Sequence, residues 1–375
     1  MPSVRLHIGA MKTGTTYVQQ MLGHNRARLA EAGVLYPKPW SGQVEAVRDV
    51  LELQGGSHLG SIDGVWKSMV DQIHAWPGRE VILSVEFISF ADKKQAAAMV
   101  ADLAPSQVTV VLGVRDVARS LPAQWQTSVR NGSAWTYREY LEGLTRWRSS
   151  DSKTHFWKRQ DAGAVARLWA DIVGPQNVLV VTVPPRGAPA HLLWERMAKA
   201  LEVDVMPLEQ KSASNESLGP TTTELLRRVN ERCVATEMDN WVYQHAVNRS
   251  LSHDVLPAIA EPHPPLAIPD EFHGWVRDES ARIVKEISKA GVTVIGDLTD
   301  LEPQLVPGTP FVWPEELTDG ELLAAAVEAL TGYTNVVGER QKADAERGRA
   351  KVRRRRQGRA GSGQVADASG DESDA

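Results

Sequence analysis

An apolar stretch at residues 4–8, VRLHI, runs straight into a turn that carries one lysine and two glycines. The turn opens at once into residues with helical spacing, Val18, Met21 and Leu22, continued by Leu29. A strand that ends in such a turn and re-enters a helix defines a βα unit with its loop at the strand's carboxyl end. Lys12, Thr13, Gly14, Thr15 and Thr16 bring consecutive backbone N–H groups, hydroxyls and one cation to a helix N-terminus, where the helix dipole also favours negative charge. An anionic ligand is the expectation.

Three further runs, at 81–85, 108–114 and 178–183, are apolar on successive residues instead of alternating, as strands buried on both faces of a parallel sheet are. Helical stretches at 164–173 and 190–201 help to separate them. The pattern predicts a doubly wound α/β domain over residues 1–205. Ligands sit at the carboxyl ends of strands in such domains. Lys12, Glu86 and Arg115 each follow a predicted strand, so three distant residues should meet at one edge.

Residues 206–335 read as a helical extension that packs on the sheet and shapes a second binding site, with helices near 223–233, 278–290 and 320–333 and a Ser/Asn/Gly-rich connection at 212–219. From 340 to 375 the chain is poor in apolar residues and carries a basic block, Arg353 to Arg356, so a disordered tail is expected.

The 375 residues suffice for a large core, and 42% apolar with 24% charged residues is ordinary for a globular protein. A net charge of −5 gives no pull toward nucleic acid. Cys233 is the single cysteine, so no intrachain disulfide forms, and it is expected to be a partly buried small residue on a helix. No apolar run approaches the ~20 residues of a membrane span, and a cytoplasmic location is expected. Most of the 12 tryptophans, among them Trp125, Trp147, Trp157, Trp169 and Trp194 in helical-looking stretches, should be packing residues, and walling an acceptor cleft is the alternative place for a few. Metal binding is not expected, because His263 and His273 stand apart from other ligating residues.

Gly9 and Gly14 have the G-x-x-x-x-G spacing of a nucleotide-binding P-loop, but Thr15 stands where that loop has its lysine. The order K-T-G-T-T at 12–16 is instead similar to the 5′-phosphosulfate loop of the sulfotransferases, which wraps the 5′-phosphate of 3′-phosphoadenosine 5′-phosphosulfate (PAPS). Residues 18–22 and 33–37 resemble the bacterial branch of that family, and segments at 156–157, 193–196 and 215–228 look like actinobacterial proteins grouped with it. The resemblance covers about the first 200 residues. It implies the P-loop-like sulfotransferase fold, PAPS as donor with 3′-phosphoadenosine 5′-phosphate (PAP) as product, and no metal.

The resemblance also implies roles. Lys12 would stabilise charge on the bridging oxygen of the leaving phosphate, and Thr13, Gly14, Thr15 and Thr16 would hold the 5′-phosphate. Arg115 matches the family arginine that binds the 3′-phosphate, a task suited to a fixed donor fork. The family serine eight residues later is Ala123 here; Ser120 is the nearest hydroxyl, and Gln124 and Gln126 are the other replacements. Glu86 stands where carbohydrate-modifying members have a glutamate base, and its alternative role is a structural pair with a nearby cation. The implied acceptor is a hydroxyl of a carbohydrate, glycolipid or small metabolite. Competing readings are a P-loop kinase with an aberrant loop and a catalytically silent nucleotide-binding scaffold. The basic tail is expected to be a solvated end, with weak peripheral contact with an anionic surface as its alternative role.

Overall fold

The structure is a computed structural model that describes residues 1–53, 61–146, 156–189, 191–204 and 218–362. Among these, six strands form one sheet: β1 (Ser3–His7), β2 (Val34–Leu35), β3 (Glu80–Ser84), β4 (Val108–Val114), β5 (Val178–Thr182) and β6 (Thr293–Ile295). Their spatial order is β2-β3-β1-β4-β5-β6, and every pairing is parallel.

The unbroken apolar runs follow from burial on both faces. Val4, Leu6, Val81, Leu83, Val110 and Leu112 point into one core, while Ile82, Val111 and Val181 point into the other with Val18, Leu22, Trp194 and Met197. The helix Thr15–His24, which follows β1, packs in the second core. The helix Val117–Arg130, which follows the adjacent β4, sends Leu121, Trp125 and Val129 into the first. The connections leaving β1 and β4 therefore diverge to opposite faces, and a crevice opens between their carboxyl ends. Trp125, Trp169 and Trp194 are fully buried and Trp157 nearly so; Trp147 lies outside the described residues.

Two expectations about organisation change. The sheet is not contained in residues 1–205, because β6 from the C-terminal region extends it with Leu179 opposite Thr293 and Val181 opposite Ile295. A three-residue edge strand is too short to register as a period. The helix beginning at Asp319 does not stop near Tyr333 but continues to Ser362, through much of the segment expected to be disordered. It needs no core of its own there. Tyr333 and Val336 pack on the main core, Arg340 bonds Ser250 Oγ and Asp254 Oδ2 at 2.5 Å each, and the Ala, Glu, Arg and Lys that follow are strong helix formers. Residues 363–375, and residues 212–217 of the polar connection, lie outside the described residues. No described helix is long and apolar enough to cross a membrane.

Candidate functional site

The loop after β1 is laced to its neighbours by its own backbone. Ala10 N donates to Gly113 O at 2.9 Å and Gly113 N to Gly9 O at 2.5 Å. Gly9 has φ +104°, and a Cβ there would meet the Glu86 backbone at 3.2 Å, so the loop and the end of β3 touch through a glycine. Lys12 (φ 65°) and Gly14 (φ 87°) turn the chain in the left-handed region before the helix Thr15–His24 begins. No side chain caps that helix, so its first-turn N–H groups are available to an anion.

The loop threonines divide their tasks. Thr13 is buried and its Oγ1 donates to Ala10 O at 2.6 Å, so its hydroxyl braces the loop. Thr15 is buried and Thr16 is exposed.

Across the crevice, Arg115 follows β4, and its Nη1 donates to the Lys12 carbonyl at 3.2 Å. Its Nε is buried with no partner among the described residues. Burial, followed by repulsion from Arg119 and Arg186 against attraction from Asp116, pushes its proton affinity down to about 10. Asp116 does not pair with Arg115: its carboxylate caps the next helix through Arg119 N at 2.9 Å and binds the Arg119 guanidinium. Arg119 in turn donates to Pro184 O at 3.0 Å.

Lys12 is half-buried, and its affinity for a proton is lowered by burial, then by Arg130 and Arg115, with Glu86 opposing. Arg130, the last residue of the helix after β4, thus acts on the same ammonium as Arg115 at that helix's other end. His253 joins them from a π-helical segment, Tyr243–Val255; its affinity is lowered by burial, Arg130 and Lys12, with Asp254 opposing. Neither Arg130 nor His253 stands at a strand end, the signal that singled out Lys12, Glu86 and Arg115. Arg130 and Arg115 thus repel the Lys12 ammonium beside an uncapped helix, a repulsion that an anion relieves, while His253 is held toward its neutral form.

Ser120 is buried and lines, with Arg115 and Ala10, a small pocket walled by Phe156, Trp157 and Gln160. Gln124 Oε1 accepts from Gln160 Nε2 at 3.3 Å, whereas Gln126 is taken up by the Leu218 carbonyl. Of the candidate replacements for a serine at Ala123, Ser120 shares the pocket of Arg115.

Glu86 opens a short 3₁₀ turn after β3. Gln19 Nε2 donates to Glu86 Oε2 at 3.0 Å and to the Ser84 carbonyl at 3.1 Å. His7, inside β1, is a packed residue: its Nδ1 is hydrogen-bonded to Ser84 Oγ at 2.8 Å, and burial lowers its proton affinity to about 4. Cys233 is buried in a helix, and burial raises its thiol. His263 binds Glu321 at 2.9 Å and His273 donates to Ile268 O at 3.0 Å. Among the described residues no group of three or more His, Cys, Asp and Glu has metal-site geometry.

No family profile matches the chain, and no curated protein matches it. Among solved structures, a sulfotransferase from Alicyclobacillus acidocaldarius aligns over 65% of this chain and 99% of its own, at 14% identity and a TM-score of 0.38.

Proposed function

We infer that the protein is a sulfotransferase that moves the sulfuryl group of PAPS to a hydroxyl of a carbohydrate, glycolipid or small metabolite. The observation that carries this reading is the pairing across the crevice: Lys12 beside an uncapped helix N-terminus on one side, and Arg115 with an unpartnered buried Nε on the other. A donor with a 5′-phosphosulfate and a separate 3′-phosphate fits two cationic stations. A triphosphate would favour a lysine in the first helical turn, but Lys12 precedes Gly14 in left-handed backbone.

In this reading the acceptor oxygen attacks sulfur, its proton passes to the Glu86 carboxylate, and the bond from sulfur to the bridging oxygen breaks. The electron pair stays on the 5′-phosphate, where Lys12 and the helix N–H groups stabilise it. Gln19 holds the Glu86 carboxylate in place from the helix that bears the loop. Ser120 and Arg115 together receive the 3′-phosphate.

The test is transfer of radiolabelled sulfate from PAPS to a mixture of glycosides and small alcohols. Label should appear in product, and Lys12→Ala should lower the rate by about 10²–10³, the usual loss when a preorganised charge stabiliser is removed. Transfer at a normal rate by that variant, or no labelled product with the intact protein, would overturn the reading.

A further inference from the structure

Two residues before Glu86, the Ser84 carbonyl holds an exposed tryptophan that none of the proposed donor contacts uses. Trp40 opens the helix Trp40–Val50 and is 39% exposed, a large apolar area for a side chain to keep in water. Its position is fixed rather than incidental. The indole Nε1 donates to the Ser84 carbonyl at 3.1 Å, and that carbonyl also accepts from Gln19, whose other bond holds the Glu86 carboxylate. Gln43, buried on the same helix, accepts from Ser84 N at 3.0 Å and donates to Pro37 O at 2.7 Å. The N–H edge of the indole is thus spent on the last residue of β3, and the ring is anchored through Ser84 and Gln19 to the carboxylate proposed as base. Trp241, also exposed, differs: it stacks on His245 with ring centroids 4.1 Å apart.

We propose that Trp40 is a stacking platform for the ring of a saccharide acceptor, which it selects over open-chain alcohols and orients toward Glu86. This rests on the sulfuryl-transfer reading of the same site. A pyranose has a face of C–H groups and a rim of hydroxyls. The C–H face meets the electron-rich face of an indole while the rim stays free to hydrogen-bond, so one hydroxyl can be presented to a carboxylate without desolvating the others. An acyclic polyol has the same hydroxyls and no flat face, and must lose chain rotations to lie on the ring.

Saturation-transfer NMR on the full chain, with methyl β-glucopyranoside and glucitol as probes, tests the platform with and without PAP. Saturation of the pyranose ring protons is expected, with weak saturation of glucitol; Trp40→Ala should abolish the difference and Trp40→Phe should keep it. In sulfate transfer, Trp40→Ala should raise the KM for the glycoside about tenfold with little change in kcat, the mark of a lost binding contact. Equal ring saturation in the intact protein and Trp40→Ala, or an unchanged KM, overturns the platform. PAP binding, measured on the same samples, verifies that both variants are folded. Failure of the intact protein to bind PAP would overturn the donor reading instead, while the saturation without PAP would still decide the role of Trp40.

Discussion

Glu86 and His7 are neighbours of the same residue, Ser84, yet their surroundings assign them different work. Glu86 sits at the rim of the crevice, bonded to Gln19 and near enough to Lys12 to strengthen its hold on a proton. Glu86→Gln keeps the shape and removes the proposed base, so the catalytic rate should fall by about 10²–10⁴ with PAP affinity preserved. Calorimetric binding of PAP together with single-turnover transfer checks this, and a collapse of PAP binding would make Glu86 a structural partner of the cations. His7 is sealed in β1 with its affinity lowered to about 4, so the fold favours its neutral form. Its stabilising contribution is complete above the unfolded value near 6.5 and is lost as pH falls from there to about 4, because only the unfolded chain takes up the proton. The loss is on the order of 3 kcal/mol. Melting curves between pH 7 and 4 should show this decline, and His7→Gln should flatten it.

The loop from Gly9 to Gly14 is the element on which the site depends. A Cβ on Gly14 would lie 2.6 Å from Leu193 Cδ2, and φ +87° is itself strained for any side chain. Gly14→Ala should therefore cost about 1–2 kcal/mol for the left-handed backbone alone. It should also weaken PAP binding, because the helix N-terminus moves with the loop; adding Leu193→Ala should relieve the contact but not the backbone strain, a partial recovery that thermal melts can detect. Elements with strong local signals were legible from the chain. The long apolar runs of β1, β3, β4 and β5 announced a parallel sheet, and their ends marked Lys12, Glu86 and Arg115. Arg130 and His253 were not, because their approach to Lys12 depends on the length of one helix and on a π-helical segment whose repeat matches neither a helix nor a strand pattern. Trp40 was hidden for a related reason: only the pairing of its indole with the end of β3 separates it from a packing tryptophan.

At the scale of the molecule, the sheet draws its last strand from beyond residue 290, so the C-terminal region completes the α/β unit and is more than an addition to it. Composition reflects whether a segment can bury a core of its own, not whether it continues a helix already packed, as the chain does from Tyr333 through Arg340. Truncation after residue 347 should leave melting unchanged. Truncation after residue 338 removes the bonds from Arg340 to Ser250 and Asp254 and should cost about 0.2–1 kcal/mol, as a largely exposed ion pair does. Equal melting temperatures for the two truncated forms would show that Arg340 ties nothing down. In the proposed function Lys12 and Arg115 are two stations for one donor with two separated anionic groups. Thermal stabilisation of the full chain by PAP, set against adenosine 5′-phosphate and against ATP with magnesium, tests it most directly. PAP should stabilise the protein clearly more than either, by about 2.7 kcal/mol at ~100 times its Kd, whereas equal shifts with PAP and adenosine 5′-phosphate would contradict a site that reads the 3′-phosphate.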